Sequence, residues 1–306
     1  FSPIQINGSD LGVMRRGSTM RVSSLVGILA LAVVGVVRAE VKQVSAANDA
    51  IYFSKSTEIA VMGMFAEAKG AEFDAFMTVA KEFDKKGGIA MGYTTEKSVY
   101  SRYLEDDGKP PSIIVFSSFN PETGEVQKGK KARTHFAGKF TYAELYKFVL
   151  VESQPILLRL PQNLGPDFQK RMILAFGSGM PKLFVFGKAS DEASDDVVAA
   201  ARNLRSKALC FYFSVNPSDS EDEGAMHMEQ MGFAKADVEK GLVAAMIGQE
   251  APEKLEWDGT SGDKLESAAN AFIEDQPPYE PPPPAAGAKG SGGSKGKKKG
   301  KAKKEM

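Results

Sequence analysis

Apolar positions along the chain fall into two kinds of pattern. Short unbroken runs, Ile59-Ala-Val-Met-Gly-Met64 and Leu183-Phe-Val-Phe186, have the length and continuity of strands covered on both faces. Elsewhere apolar residues recur three and four apart, as in Phe73, Phe76, Val79, Ala80 and Phe83, which gives one face of an amphipathic helix that Gly87-Gly88 closes. Read this way, the first half predicts a helix over 46–55, a strand over 59–64, a helix over 73–83, a strand over 89–93 and a short helix over 96–103. Strands 112–116 and 132–136 follow, flanking the turn residues Asn120-Pro-Glu-Thr-Gly124. A helix over 141–151 closes the unit, with Thr141 as N-cap and Glu144 as its capping-box partner. The second half repeats the order: strand 156–160, helix 163–176, strand 183–186, helix 191–204 with an acidic first turn, strand 208–213, helix 219–231, strands 242–247 and 254–257, helix 265–273. The expected fold class is therefore α/β, with two tandem copies of roughly 115 residues, each a mixed sheet flanked by helices.

The first 40 residues change the picture of where the protein works. From Met20 the chain has Arg21, the apolar run from Leu25 to Val37, and small residues before Glu40, which together have the form of a secretory signal peptide cleaved after Ala39. An uncleaved signal-anchor is the alternative, although the run is short of the roughly 20 residues that span a bilayer. Residues 1–19 read as sequence upstream of the start. The expected organisation is then a leader at 1–19, a signal peptide at 20–39, folded units at 40–152 and 153–276, and a Pro-rich then Lys/Gly-rich tail at 277–306 that is disordered.

Charge follows the same divisions. The 306 residues carry 39 basic and 39 acidic side chains, a formal net charge of zero. The leader is basic, and the stretch from Lys289 onward holds eight lysines against Glu305, so the body between them is acidic. An acidic body argues against nucleic-acid binding by the folded units, whose affinity would rest on neutralising phosphates. The basic tail suits acidic partners.

The order of elements matches the thioredoxin fold, and the local sequence resembles the redox-inactive middle domains, b and b′, of protein disulfide isomerases. In the first unit the resemblance rests on Glu58-Ile-Ala-Val-Met-Gly-Met-Phe65, on Phe73 to Phe83, and on Pro111-Ser-Ile-Ile-Val-Phe116 with Gly124-Glu-Val126. In the second it rests on Pro155-Ile-Leu-Leu158, Lys182-Leu-Phe-Val-Phe186 and Met231-Gly-Phe233. It implies that Pro111 occupies the structural cis-proline position, with Gly241 standing where a second proline would be. It also implies residence in the endoplasmic reticulum lumen, although the chain ends Lys-Lys-Glu-Met306 rather than in a Lys-Asp-Glu-Leu type signal.

Departures from the family bear on the chemistry. Dithiol exchange needs a thiolate at the start of the helix after the central strand and a second thiol two residues away. Those positions hold Phe65-Ala-Glu-Ala-Lys69 and Gly187-Lys-Ala-Ser-Asp191, and Cys210 is the one cysteine of the chain. It lies in an apolar run, where it is expected to act as a small hydrophobe. His135 and His227 have no ligand spacing around them, and no phosphate loop, Gly-x-Ser-x-Gly or Ser/His/Asp pattern stands out. The expectation is a protein that is not an enzyme, with no cofactor, no metal and no catalytic residue.

Function is then expected from binding. The resemblance implies an apolar pocket in the second unit that holds unfolded polypeptide, at positions matching Ile156, Leu158, Phe176 and Leu183. Phe176 is the strongest candidate because Gly177-Ser-Gly179 beside it leaves the ring less covered, and Trp257 is a natural fluorescence reporter of binding. The expected role is a chaperone or adaptor in protein folding, with unfolded polypeptides and a catalytic disulfide isomerase as partners. Two alternatives stand beside it. One is a calsequestrin-like luminal calcium-binding or structural protein, using the acidic run Asp219, Glu221, Asp222 and Glu223; the other is a fragment of a full isomerase.

Overall fold

A computed structural model describes residues 41–284 except for 56, 87, 105–108, 121–130, 161–165, 190–191, 220 and 250. The leader and signal peptide, the turn at 121–124, the segment at 125–126 and the Lys-rich tail lie outside the described residues.

The first unit runs β1 (Lys42–Gln43), α1 (Ala47–Lys55), β2 (Ile59–Met64), α2 (Ala71–Lys86), β3 (Ala90–Thr94), α3 (Lys97–Tyr100), β4 (Ser112–Ser117), β5 (Ala132–His135) and α4 (Tyr142–Glu152). Its sheet has the order β1-β3-β2-β4-β5. β2 and β3 are parallel, while β4 runs antiparallel to β2 and β5 antiparallel to β4. Every residue of β2 is buried, as expected of a central strand covered by helices on both faces. Ala60, Met62 and Met64 meet Phe53 of α1 and Val99 of α3 on one side. On the other side Gly63 lies so close to the rings of Phe65 and Phe76 that a Cβ would collide with them, which lets α2 sit down on the sheet.

The second unit runs β6 (Leu157–Leu160), α5 (Pro166–Phe176), β7 (Lys182–Lys188), α6 (Asp195–Leu204), β8 (Leu209–Val215), α7 (Glu223–Gln230), a 3-10 turn (Lys235–Glu239), β9 (Val243–Ile247), β10 (Glu253–Lys254) and α8 (Gly262–Glu274). Its sheet order, β10-β9-β7-β8-β6, repeats the first when read from the other edge. In both, the first, third and second strands are neighbours and parallel, and the fourth and fifth are antiparallel; this is the thioredoxin topology.

Several boundaries differ from the sequence expectation, each for a local reason. α6 begins at Asp195, not at 191, because the Ser194 hydroxyl accepts from the Val197 N–H and sets the first turn. α7 begins at Glu223, not at 219, because Asp222 caps it through the Ala225 N–H. The Thr141 cap forms, its hydroxyl accepting from the Glu144 N–H at 3.3 Å. The Pro110–Pro111 peptide is cis. At Gly241 φ is +149°, outside the range near −65° that a proline ring permits, so the backbone conformation of the second unit excludes a proline there.

The junction of the units is polar and closely tied. Arg171 of α5, 1% exposed, pairs with Glu58 at 2.8 Å, and its carbonyl accepts from the Gln154 side chain. Arg205 at the end of α6 grips the connecting segment, pairing with Glu152 at 3.1 Å and donating to the carbonyls of Val151 and Gln154.

The proline run is expected to be an extended spacer. Residues 277–284 lead away from α8 and lie against α4 of the first unit, where the Tyr142 hydroxyl donates to the Pro282 carbonyl at 2.8 Å.

Candidate functional site: an aromatic row under two helices

Alternation along the strands sorts the second unit's apolar side chains onto two faces. Leu183 and Val185 of β7, and Cys210 and Tyr212 of β8, face α6 and α8 and fill a closed core with Val197, Leu204, Leu265 and Phe272. Phe184 and Phe186 of β7, with Phe211 and Phe213 of β8, face the other way, beneath α5 and α7.

There the rings form a continuous row. Phe176, at the end of α5, stacks on Phe211 with centroids 5.1 Å apart and lies 6.1 Å from Phe184. Phe184 continues to Phe213 at 6.0 Å, Phe213 to Phe186 at 5.4 Å, and Phe186 to Phe233 at 6.1 Å. The middle rings are buried, while Phe176 and Phe233 at the two ends are half-buried. One turn before Phe176 on α5, Ile173 is 53% exposed, and Met226 on α7 is 37% exposed. The spacing of three places Ile173 and Phe176 on one helix face.

The four residues expected to form one pocket are not brought together. Ile156 and Leu183 belong to the core beneath α6 and α8, whereas Leu158, opposite Phe211 in the register, shares the face of the aromatic row. Ile156, Leu158 and Leu183 are all buried, and of the four Phe176 alone reaches solvent. The reason is strand alternation: Leu183 and Phe184 are adjacent in sequence and opposite in space. Trp257 packs against the α6/α8 core and donates to the Ser261 carbonyl, so it sits on the side away from the row and is a poor reporter for it. The sequence pattern does not assign Ile173, Met226 and Phe233 to the site, although the Ile173–Phe176 spacing is a signal for the first.

Polar groups around the row are few. His227 of α7 places its ring 5.1 Å from Phe213, with Nδ1 buried and without a partner. Burial lowers its pKa, opposed by a hydrogen bond with Gln230 and by the charge of Glu223. Such a surface can bury apolar side chains, and among the described residues it holds no arranged acid, base or nucleophile.

Thiol chemistry finds no support in the geometry. The Cys210 thiol is buried in the α6/α8 core, and burial pushes its pKa up to about 12, far from that of a reactive thiolate. After the central strand of the first unit, Phe65 packs edge-on against Phe73 at 5.2 Å, and Glu67 pairs with Lys69 on the surface. Among the described residues no three His, Cys, Asp or Glu side chains are grouped as a metal ion would need. The Asp219 and Asp222 carboxylates accept from the backbone N–H groups of Glu221 and Ala225.

Fold and site together define a tandem pair of thioredoxin-like units without a dithiol. No protein-family model matches the chain. It is 23% identical to protein disulfide-isomerase of Gallus gallus over 225 residues, which cover 72% of this chain and 38% of that protein. It is likewise 23% identical to protein disulfide-isomerase of Drosophila melanogaster over 238 residues, covering 76% and 42%. The chain thus spans about two fifths of the length of these curated relatives. Solved structures similar to it include the zinc-bound form of human ERp44, with TM-score 0.48, 10% identity and coverage of 78% of this chain and 59% of that one. The bb fragment of ERp72 follows at TM-score 0.41 and 13% identity, with 76% and 96% covered. Over about three quarters of its length the chain is thus similar to protein disulfide-isomerases, and with one cysteine in its sequence it holds no Cys-x-x-Cys motif.

Proposed function

We propose that this protein is a redox-inactive member of the family that works in the endoplasmic reticulum lumen, holding unfolded or partly folded polypeptides for a catalytic disulfide isomerase. The aromatic row beneath α5 and α7 carries the proposal, through its half-buried end at Phe176 and the exposed Ile173 beside it. Burial of client side chains against such a surface is non-directional and tolerates many sequences. The signal-peptide pattern at 20–39 and the naming of the relatives as disulfide isomerases support the compartment. Among the described residues no helix is long and apolar enough to cross a membrane.

Anisotropy of a fluorescent, unstructured apolar peptide tests the site. Removing the Phe176 ring forfeits burial worth about 1.5–3 kcal/mol, so Phe176→Ala is expected to weaken binding by about tenfold or more. Ile173→Asp changes an exposed position and is expected to weaken binding without loss of fold. Unchanged affinity in both variants refutes the assignment. A second reading, favoured by the share of the relatives that the chain spans, makes it the inactive part of a longer isomerase; the complete transcript distinguishes the two.

A further inference from the structure

The segment that follows α8 binds the first unit as a ligand would. At its start the Gln276 side-chain carbonyl accepts from the Gln249 N–H, which holds this end to the second unit. Three residues on, Tyr279 is half-buried and its hydroxyl is fully buried without a hydrogen-bond partner. Its phenol pKa is raised by burial and by the neighbouring Tyr146 and Tyr142. Three residues further, the Pro282 carbonyl takes the Tyr142 hydrogen bond.

Beneath the segment stands a ladder of rings. Tyr142 and Tyr146 of α4 have centroids 5.7 Å apart, and Tyr146 leads inward to Phe83 of α2 at 4.9 Å. Six of the eight residues from Pro277 to Pro284 are proline. Proline has no N–H and a fixed φ, so such a segment cannot coil into a helix and offers its carbonyls to outside donors. It also loses little conformational freedom on docking. Aromatic side chains with a hydroxyl donor aimed at a prolyl carbonyl are the means by which proline-rich peptides are recognised.

We propose that the α2/α4 face of the first unit is a binding site for a proline-rich, tyrosine-bearing peptide, and that residues 277–284 of this chain occupy it. Tethering gives the chain's own segment an effective concentration on the order of millimolar, enough to keep out a weak free competitor. The site opens to a second proline-rich segment only when the resident one is weakened. It is separate from the aromatic row of the second unit and stands whatever that row binds.

The test uses the full chain and a fluorescein-labelled peptide with the sequence of residues 275–285. Wild-type protein is expected to bind it at least tenfold more weakly than Tyr279→Ser, in which the resident ring is gone. Adding Tyr142→Phe to Tyr279→Ser removes the hydroxyl donor and is expected to weaken binding about fivefold. A peptide with serine in place of its tyrosine is expected not to bind. Pro281→Gly combined with Pro283→Gly loosens the segment while sparing its ring, guarding against a folding defect in Tyr279→Ser, and is expected to admit the peptide to an intermediate degree. Absence of binding to both weakened variants overturns the proposal, as does equal binding to wild type and Tyr279→Ser.

Discussion

Glu58→Gln isolates the ion pair that joins the two units. Arg171 is 1% exposed, its Nη2 lies 2.8 Å from the Glu58 carboxylate, and its Nε and Nη1 are buried without partners. The Glu58 side chain is 39% exposed, so one charge of the pair is dry and the other partly wet. Removing one partner from a fully buried pair costs about 3–5 kcal/mol, while exposed pairs contribute about 0–1 kcal/mol. With Glu58 part-exposed, Glu58→Gln is expected to cost about 2 kcal/mol, since it leaves the buried guanidinium without its counter-charge. Arg171→Met removes the cation together with its unpartnered N–H groups and keeps an unbranched side chain, so its expected cost is under about 1 kcal/mol. The double variant is expected to match Arg171→Met, because the released carboxylate can hydrate. Urea unfolding of the four proteins measures this, and a broadened transition in Glu58→Gln would report the two units beginning to unfold separately. A Glu58→Gln protein within about 0.5 kcal/mol of wild type, or an Arg171→Met protein less stable than it, refutes the account.

Three further outcomes are expected. The Cys210 thiol is held in its protonated form by burial, so a thiol-specific reagent is expected to label the native protein negligibly and the denatured protein to one equivalent; fast native labelling contradicts the core placement. Burial lowers the pKa of Lys182 from 10.5 to about 8, so the unfolded chain binds a proton that the folded chain gives up, and stability rises as pH climbs from 8 toward 10.5. Between pH 7 and 9.5 this lysine supplies a rise of about 2 kcal/mol, which Lys182→Met is expected to remove; equal pH slopes in the two proteins would refute it. At Gly224 a Cβ would lie 2.5 Å from the Ser214 carbonyl, so Gly224→Ala forces α7 off β8 and is expected to cost about 1–3 kcal/mol. If α7 forms part of the binding face, the same variant weakens peptide binding, which anisotropy reads directly.

How far the sequence reveals the molecule depends on where each feature's information lies. The run from Ile59 to Met64 declares a central strand by itself, because burial on both faces needs only apolar residues in line. β1, two exposed residues paired in parallel to β3, has no apolar side-chain pattern to find. Helix starts are hard to place where acidic residues precede the cap: Asp219 and Glu221 look like a first turn, but the Asp222 side chain sets it. Site residues were legible one at a time and not as a group. Phe176 stands out beside its glycines, yet whether Leu158 or Leu183 shares its face depends on the register of β6 and β7 against β8. The docked proline segment was illegible, since its composition matches a free spacer and its anchor, Tyr142, lies 140 residues away from Pro282.

The placement of Arg171 limits how this protein can be divided. A second unit inherited or expressed without the first would expose α2's partner surface on α5, including a guanidinium whose counter-charge stays behind on Glu58. Because α5 also carries Ile173 and Phe176, separation would disturb the same helix that presents the apolar face. The two units are therefore coupled as a block: a cut within the connecting segment would leave a buried charge on one side and its partner on the other.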